Sequence, residues 1–164
     1  MPVKNKNFIL SEMKISDVIS RNPHLLLMLE HFGINMEVRD KTVEQICSEN
    51  NLNTILFLTV ANLYDGYLPS SIAGFSVYDI QTIINYLKNS HQYYQEEKYP
   101  QIKKFIEDIY AINSHAEVLM IGKFFDKYFK EVTEHLDYEN HVVFPYMLKL
   151  ISPKNSVNAD NAAE

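Results

Sequence analysis

Three side chains in the second half of the sequence, His91, His135 and Glu139, have types and a spacing that suit a metal site. His135 and Glu139 are four residues apart, so on an α-helix they point to the same side. Imidazole and carboxylate groups that project inward from facing helices are how helical bundles bind iron or manganese. The sequence therefore predicts a metal site built on these three residues.

His91 can be placed beside the other two by its distance along the chain. A turn is predicted near Asn113, and His91 and His135 each lie 22 residues from it. If the chain folds back there as an antiparallel pair of helices, both imidazoles lie at the same level. The alternative is a buried cluster of hydrogen-bonded side chains, which is the more common role of a single histidine in an apolar stripe.

The other histidines do not fit the site. His115 is 20 residues from His135, which is about 30 Å along a continuous helix. His141 points away from the apolar stripe that carries Glu139, because it lies two residues further on. His24 and His31 are expected to be structural or exposed.

Two apolar stripes predict the helices that carry the site, and together they define a helical hairpin over residues 77–150. Their spacing alternates between three and four residues, which is typical of packed helices. Pro100 is expected to kink the first helix without ending it, and Ser114 with Glu117 predicts the cap of the second. The stripes are Ile80, Ile84, Leu87, His91, Tyr94, Ile102, Phe105, Ile109 and Ile112, and then Val118, Ile121, Phe125, Tyr128, Val132, His135, Glu139, Val142 and Tyr146.

A second, smaller helical domain is predicted over residues 14–66. Thr42 with Gln45 forms a capping-box pattern, and Asn53 can cap a further helix. Gly33 can end the apolar helix that precedes it. The fold class is therefore predicted to be all-α.

The remaining segments are predicted to lack regular structure. Residues 67–76 contain Pro, Ser and Gly and are interpreted as a linker. Residues 1–13 are predicted to be a flexible leader, and residues 151–164 a disordered tail, because they have no apolar periodicity.

Composition excludes several classes of protein. The 164 residues include 15 Lys and Arg against 21 Asp and Glu, so no nucleic acid partner is expected. No apolar run approaches the roughly 20 residues needed to cross a bilayer, so no membrane association is expected. The start of the sequence does not have the pattern of an export signal. The single cysteine, Cys47, is expected in a core and suits a reducing cytoplasm.

The segments around the three candidate ligands resemble the hemerythrin-like di-iron proteins, and most closely the RIC (repair of iron centres) family. The matching motifs are His91 with Pro100 after it, and His135-x-x-x-Glu139 followed by Phe144-Pro145. Residues 14–66, with LLLMLEHFGI and KTVEQIC, resemble the small helical domain that precedes the bundle in that family. The resemblance extends over residues 14–150.

The resemblance implies a non-haem di-iron centre with His91, His135 and Glu139 as ligands and Glu139 bridging. Manganese and zinc are the other candidate metals. It also implies a role in iron–sulfur centre repair or in the response to nitrosative or oxidative stress, with oxygen, nitric oxide or peroxide as small ligands. The sequence shows no nucleophile–base pair, so it does not indicate whether the site turns over a substrate.

The sequence departs from the family pattern in its thiols. Family members typically carry adjacent cysteines shortly after the segment that matches Phe32-Gly33-Ile34. This chain has Asn35-Met36-Glu37-Val38-Arg39 at that place. The resemblance therefore does not extend to activities that need the thiol pair, such as cysteine-based handling of iron or nitric oxide.

The sequence also departs from the family in the number of bundle helices. The family's bundle has four helices in two similar halves, whereas this sequence provides one half. Three donors are too few for two iron ions, and a lone hairpin leaves its apolar stripe exposed. A homodimer that brings two sets of ligands together on a two-fold axis supplies what is missing. The alternative is that the chain is a truncated product.

Two further functions fit the same sequence. The first is a metal-free helical module for dimerisation or interaction, in which the three polar residues form a hydrogen-bonded cluster. The second is an oxygen or nitric oxide sensor, which would use the same metal site.

Overall fold

The computed structural model describes residues 8–35, 40–68 and 74–152, and it confirms an all-α fold. Across these ranges the only extended pairing is an isolated antiparallel bridge between Lys14 and Thr42. The α-helices are α1 (Ile15–Arg21), α2 (Leu25–His31), α3 (Val43–Glu49), α4 (Thr54–Tyr64), α5 (Val77–Tyr93), α6 (Tyr99–Asn113), α7 (Ala116–Tyr138) and α8 (Phe144–Leu150). Two π-helical turns are π1 (Tyr94–Lys98) and π2 (Glu139–Val143).

The chain forms two compact units, residues 1–86 and 87–164, which divide inside α5. The division falls beyond the predicted linker at 67–76, of which residues 69–73 lie outside the described ranges. The predicted disordered tail lies outside them as well, apart from residues 151 and 152.

The first unit has a closed apolar core to which α1 to α4 all contribute. Short amphipathic helices bury one side each, and this burial is the main source of their stability. The buried side chains of this core include Ile15, Val18, Leu25, Met28, Leu29, Val43, Ile46, Cys47, Phe57 and Ala61.

Residues 8–13 pack against this core, so the structure differs from the predicted flexible leader over that range. Ile9 is buried, and Phe8 lies against Tyr67 with ring centroids 4.5 Å apart. The Asn62 side chain accepts a hydrogen bond from the Ile9 backbone N–H at 2.9 Å and donates one to its carbonyl at 3.1 Å. A buried amide that bonds the backbone on both sides fixes the segment in one position.

The helix ends predicted from Thr42, Asn53 and Gly33 in the first unit are confirmed. Thr42 and Gln45 form a reciprocal capping box at the start of α3. The Asn53 side chain accepts from the backbone N–H of Ile55 at the start of α4. Gly33 follows α2 with φ of 72°, a conformation in which glycine has no steric penalty.

The first turn of α5 is fixed by a buried carboxylate, Asp79. It accepts hydrogen bonds from the Ser76 backbone N–H and hydroxyl at 2.6 and 2.9 Å, and from the Asn53 amide at 2.9 Å. Burial by itself raises the pKa of the Asp79 carboxyl. The hydrogen bonds from Ser76 and Asn53 outweigh it and hold the pKa below the ordinary value of 3.8.

The second unit is built on an antiparallel hairpin of α6 and α7, with the turn where the sequence predicts it. α6 ends at Asn113 and α7 begins at Ala116. The predicted cap by Ser114 and Glu117 is wrong. Ser114 instead ends α6 in a left-handed conformation with φ of 39°. His115 occupies the N-cap position of α7 and makes no side-chain capping bond.

Contacts across the hairpin run in opposite directions along the two helices. Tyr99 packs against Phe129 with ring centroids 4.6 Å apart, and Lys103 pairs with Asp126 at 2.8 Å nearer the turn. Neither α6 nor α7, both described over their full length, buries a residue. The sequence predicts that the apolar stripes of the hairpin are buried in a core. In the single chain, the parts of these stripes on α6 and α7 are not buried.

The π-helical turns are features that the sequence reasoning did not predict. π1 is followed directly by Tyr99-Pro100 and π2 by Phe144-Pro145. A proline lacks the N–H that would bond the carbonyl four residues earlier in an α-helix. In both places the helix changes to the wider π-helical turn just before the proline. The helix continues past Pro100, as predicted, but through a π-turn.

Candidate metal centre

The structure brings the three predicted side chains together within the second unit. Glu139 is the first residue of π2, and its two carboxylate oxygens face different imidazoles. The Nε2 atom of His91 lies 3.5 Å from Oε2, and the Nε2 atom of His135 lies 3.4 Å from Oε1. Each oxygen of one carboxylate thus has one ring nitrogen beside it.

The tautomer of His91 is set by a fourth residue, Asn140. The Nδ1 atom of His91 lies 3.0 Å from the Asn140 side-chain oxygen. An amide oxygen only accepts, so Nδ1 carries the proton and donates. In the neutral ring Nε2 then has a free lone pair. In that form the lone pair faces a carboxylate oxygen of Glu139, and both atoms are donors that a cation accepts.

The distances to Glu139 are long for hydrogen bonds and suitable for ligands of a common ion. An N–H···O bond is ordinarily about 2.7–3.2 Å long, which is shorter than both separations. Two donors that each lie about 2.1 Å from one tetrahedral ion are about 3.4 Å apart. The gaps on both sides of Glu139 are therefore longer than ordinary hydrogen bonds and close to the separation of two donors on a tetrahedral ion.

The three side chains do not form a complete cage in the single chain. Within residues 8–35, 40–68 and 74–152, no group of three or more His, Cys, Asp or Glu side chains is arranged so that it could hold a metal ion as it stands. The two imidazoles lie beside different oxygens of Glu139, so the three side chains do not surround one point. The chain thus presents two adjacent pairs of one ring nitrogen and one carboxylate oxygen, and we call each pair a half-site of the candidate centre.

The two imidazoles differ in exposure. His91 is 7% exposed and stacks on Phe144 with ring centroids 5.8 Å apart. The side chain of His135 is 67% exposed and that of Glu139 is 31% exposed. The site is therefore closed on the side of α5 and open on the side of α7.

The other histidines have different surroundings in the structure. His115 lies at the hairpin turn, and His141 is exposed, with Nδ1 2.8 Å from the Asp137 carbonyl. His24 is exposed. His31 is buried in the first unit beside Tyr86 at 5.3 Å, and burial lowers the pKa of its imidazole.

Cys47 belongs to the apolar core of the first unit, as predicted. Its side chain is fully buried, and burial raises the pKa of its thiol to about 11. A thiol with so high a pKa is a poor nucleophile and a poor metal ligand at neutral pH.

Comparisons with known proteins give no identification for this chain. No family model matches it, and neither the curated proteins nor the solved structures contain a match. None of the helices in the described part of the chain has the length and apolarity needed to cross a membrane.

Proposed function

We propose that this protein binds non-haem iron through His91, His135 and Glu139. The observation that supports the proposal is the pair of imidazole nitrogens 3.4 and 3.5 Å from the two oxygens of one carboxylate. Imidazole and carboxylate are the donors that iron and manganese accept in helical bundles. Zinc accepts the same donors, so the identity of the metal is part of the test.

Each residue has a distinct task in this proposal. His91 presents a lone pair on Nε2, because Asn140 holds the proton on Nδ1. Glu139 offers one oxygen to each half-site, which is the arrangement of a bridging carboxylate. His135 supplies the second nitrogen from the open side. Iron bound there would supply redox chemistry and free coordination positions for oxygen, nitric oxide or a peroxide.

The cellular role that we propose rests on the resemblance to the hemerythrin-like RIC proteins. It is a role in iron–sulfur centre repair or in the response to nitrosative or oxidative stress. The absence of a cysteine pair at residues 35–39 limits the proposal to chemistry at the metal centre. A reducing compartment such as the cytoplasm suits a chain with one buried cysteine.

Metal content of two variants tests the proposal. Purified chain is loaded anaerobically with Fe(II), desalted and analysed for iron and for protein. Glu139→Ala removes the carboxylate common to both half-sites, so we expect its iron content to fall to background. His115→Ala is the matched control, since His115 lies at the hairpin turn, and we expect iron at the wild-type level.

Folding of both variants is checked by their helical circular dichroism. Wild-type protein that takes up no Fe(II), Mn(II) or Zn(II) overturns the proposal. Equal iron content in folded Glu139→Ala and wild type assigns the metal to other residues and overturns this site.

A second candidate function is a metal-free helical interaction module. The open apolar side of α6 and α7 favours it. Thermal unfolding with and without a chelator separates the two functions, because a ligand that binds the native state raises its stability. A metal-binding protein melts at a lower temperature after chelation, whereas the metal-free module does not respond. An oxygen or nitric oxide sensor shares the metal site and behaves as the first candidate in this test.

A further inference from the structure

The contacts across the hairpin show which side of α6 and which side of α7 face each other. Tyr99 packs against Phe129 and Phe125, with ring centroids 4.6 and 6.2 Å apart. Nearer the turn, a methyl group of Ile106 lies 3.5 Å from the place where a Cβ atom of Gly122 would be. These residues mark the inner side of the hairpin.

The residues that directly precede these inner residues lie together on one side of the hairpin. One step back along the chain is a turn of about 100° round a right-handed helix. Since α6 and α7 face each other and run in opposite directions, this step turns both helices toward the same side. Steps of four and seven residues then remain on that side. Its large apolar residues, which we call the apolar face, are Phe105, Ile109, Ile112, Ile121, Phe124 and Tyr128.

The two sides of the hairpin differ in character. The six residues of the apolar face are between 48% and 82% exposed. On the other side, the residues that directly follow Ile106, Gly122, Phe125 and Phe129 are all charged and exposed, and they are Glu107, Lys123, Asp126 and Lys130. A helical layer that is apolar on one side and charged on the other is built to pack on a partner.

The apolar face has the apolar area that a stable interface needs. A specific interface buries about 800 Å² per partner, of which about 60%, or roughly 500 Å², is apolar. At about 150–250 Å² per aromatic side chain, the exposed parts of Phe105, Phe124 and Tyr128 amount to about 270–450 Å². The three isoleucines add roughly 200–250 Å² at about 30 Å² per carbon. A soluble monomer rarely exposes so large an apolar patch.

We propose that a second copy of this chain packs on the apolar face, so that two hairpins form a bundle of four helices. Two layers of helices around a shared apolar core bury such faces on both sides. A second copy presents a face of equal size and equal apolar character, and pairs of identical chains are the most common assemblies of soluble proteins. The pairing requires no metal, so it does not rest on the proposed metal site.

The apolar face lies on the same side of α7 as an open part of the candidate metal centre. His135 follows Tyr128 by seven residues within one continuous helix, which is close to two full turns. The side chain of His135 is 67% exposed. The second copy therefore packs on the side toward which His135 projects.

Sedimentation equilibrium of the full chain in the presence of a chelator tests the second copy. We expect the wild type to be a dimer at micromolar concentration. Phe124→Glu places a charge in the apolar face, so we expect the dissociation constant of the dimer to rise at least about 30-fold. Leu119→Glu is the matched control, because it makes the same change at an exposed apolar residue of α7 on the charged side, four residues before Lys123. We expect its dissociation constant to equal that of the wild type.

Hydroxyl-radical footprinting of the wild type locates the interface without any substitution. The chain is oxidised at concentrations above and below the dissociation constant of the dimer. We expect Phe105, Phe124 and Tyr128 to react severalfold more slowly in the dimer. Tyr78 is the internal control, since it belongs to the first unit and is 87% exposed, and we expect it to react equally at both concentrations.

Three outcomes overturn the second copy. A wild type that is monomeric at every concentration leaves the apolar face to a different protein. A folded Phe124→Glu variant with the dissociation constant of the wild type, or a dimer whose apolar face is oxidised as fast as in the monomer, places the interface elsewhere. Because these samples contain a chelator, none of these results tests the proposed function, and a chain that takes up no metal would leave the dimer standing.

Discussion

The two imidazoles of the candidate site are held in different ways. His91 is enclosed, with Phe144 on its ring face and Asn140 on Nδ1. His135 projects into solvent beside Glu139. The structure therefore fixes the orientation of the His91 ring, which is one of the proposed ligands, and the hydrogen bond from His91 to Asn140 contributes to it.

Substitution of Asn140 tests this orienting role. Asn140→Leu removes the acceptor for Nδ1–H, so we expect metal affinity to fall about 10–100-fold, the usual effect of losing such a contact. Asn140→Asp retains an accepting oxygen, and we expect it to restore most of the affinity. The measurement is a competition titration of Co(II) against a chelator.

Asn113→Leu is the control for the Asn140 variants, because Asn113 is an exposed residue at the hairpin turn. Its affinity should equal that of the wild type. If Asn140→Leu also binds Co(II) as tightly as the wild type, Asn140 has no part in orienting His91.

At the residue scale, the sequence predicts that His91, His135 and Glu139 lie close together. It does not predict the contact of Asn140 that orients His91. A spacing of four residues fixes the relative direction of His135 and Glu139, and equal distances from the turn bring His91 to their level. Asn140 lies outside the apolar stripes. Its bond to a residue 49 positions earlier depends on how the two helices pack, which periodicity does not specify.

The two π-turns connect the helices to the ligands. π1 begins three residues after His91, and π2 begins at Glu139 itself. Such turns are frequent at functional sites, because they insert an extra residue and change the direction of the side chains that follow. An aromatic–proline pair follows each turn in the sequence. The prolines predict a disturbance of the helix, but whether it becomes a kink or a π-turn is decided by tertiary packing.

The start of α5 provides a prediction about stability at the scale of an element. Asp79 accepts three hydrogen bonds there, so Asp79→Ala should lower the free energy of unfolding by about 1–2 kcal/mol. The pKa of its carboxyl is lower in the folded chain than the ordinary 3.8. Its contribution is therefore present above pH 3.8, and it is lost as the pH falls through the folded pKa.

Urea unfolding at several pH values between 7 and 3 measures this contribution. The difference between wild type and Asp79→Ala should be constant at higher pH and shrink at the acid end. Asp40→Ala is the control, because Asp40 forms an exposed ion pair with Lys14 and such pairs contribute little. A difference that does not change over the acid range would show that the ionised carboxylate is not the stabilising form.

At the scale of the whole molecule, the two units differ in how they are stabilised. The first unit encloses its apolar side chains in a core, whereas α6 and α7 leave theirs open. Capping motifs predicted the starts of α3 and α4, and apolar stripes predicted the hairpin of the second unit. Local patterns could not predict that the first unit buries its apolar side chains whereas α6 and α7 expose theirs. The same helical periodicity occurs in an internal core and in an interface.

Hydrogen exchange of the full chain tests this difference. Fe(II) at about 100 times its dissociation constant adds about 2.7 kcal/mol to the unit that binds it. We therefore expect amide exchange in α6 and α7 to slow by up to about 100-fold. Exchange in α3 and α4 should not change, because those helices belong to the first unit.

Glu139→Ala provides the control for the exchange experiment, since it removes the proposed ligand and should abolish the effect of Fe(II). If amide exchange in α3 and α4 slows by the same factor, the two units are not stabilised separately. Slowing that persists in Glu139→Ala would contradict binding at this carboxylate.

The uneven exposure of the two imidazoles has a consequence for how a cation reaches the centre. An ion that diffuses in from water first encounters His135 and Glu139, and only then the shielded nitrogen of His91. If the proposed site binds a metal, we expect reversible capture at His135 and Glu139 first and a slower step that engages His91. A cation that dehydrates reluctantly would then be released after the first step, and the proposed site would discriminate between metals by kinetics as well as by affinity.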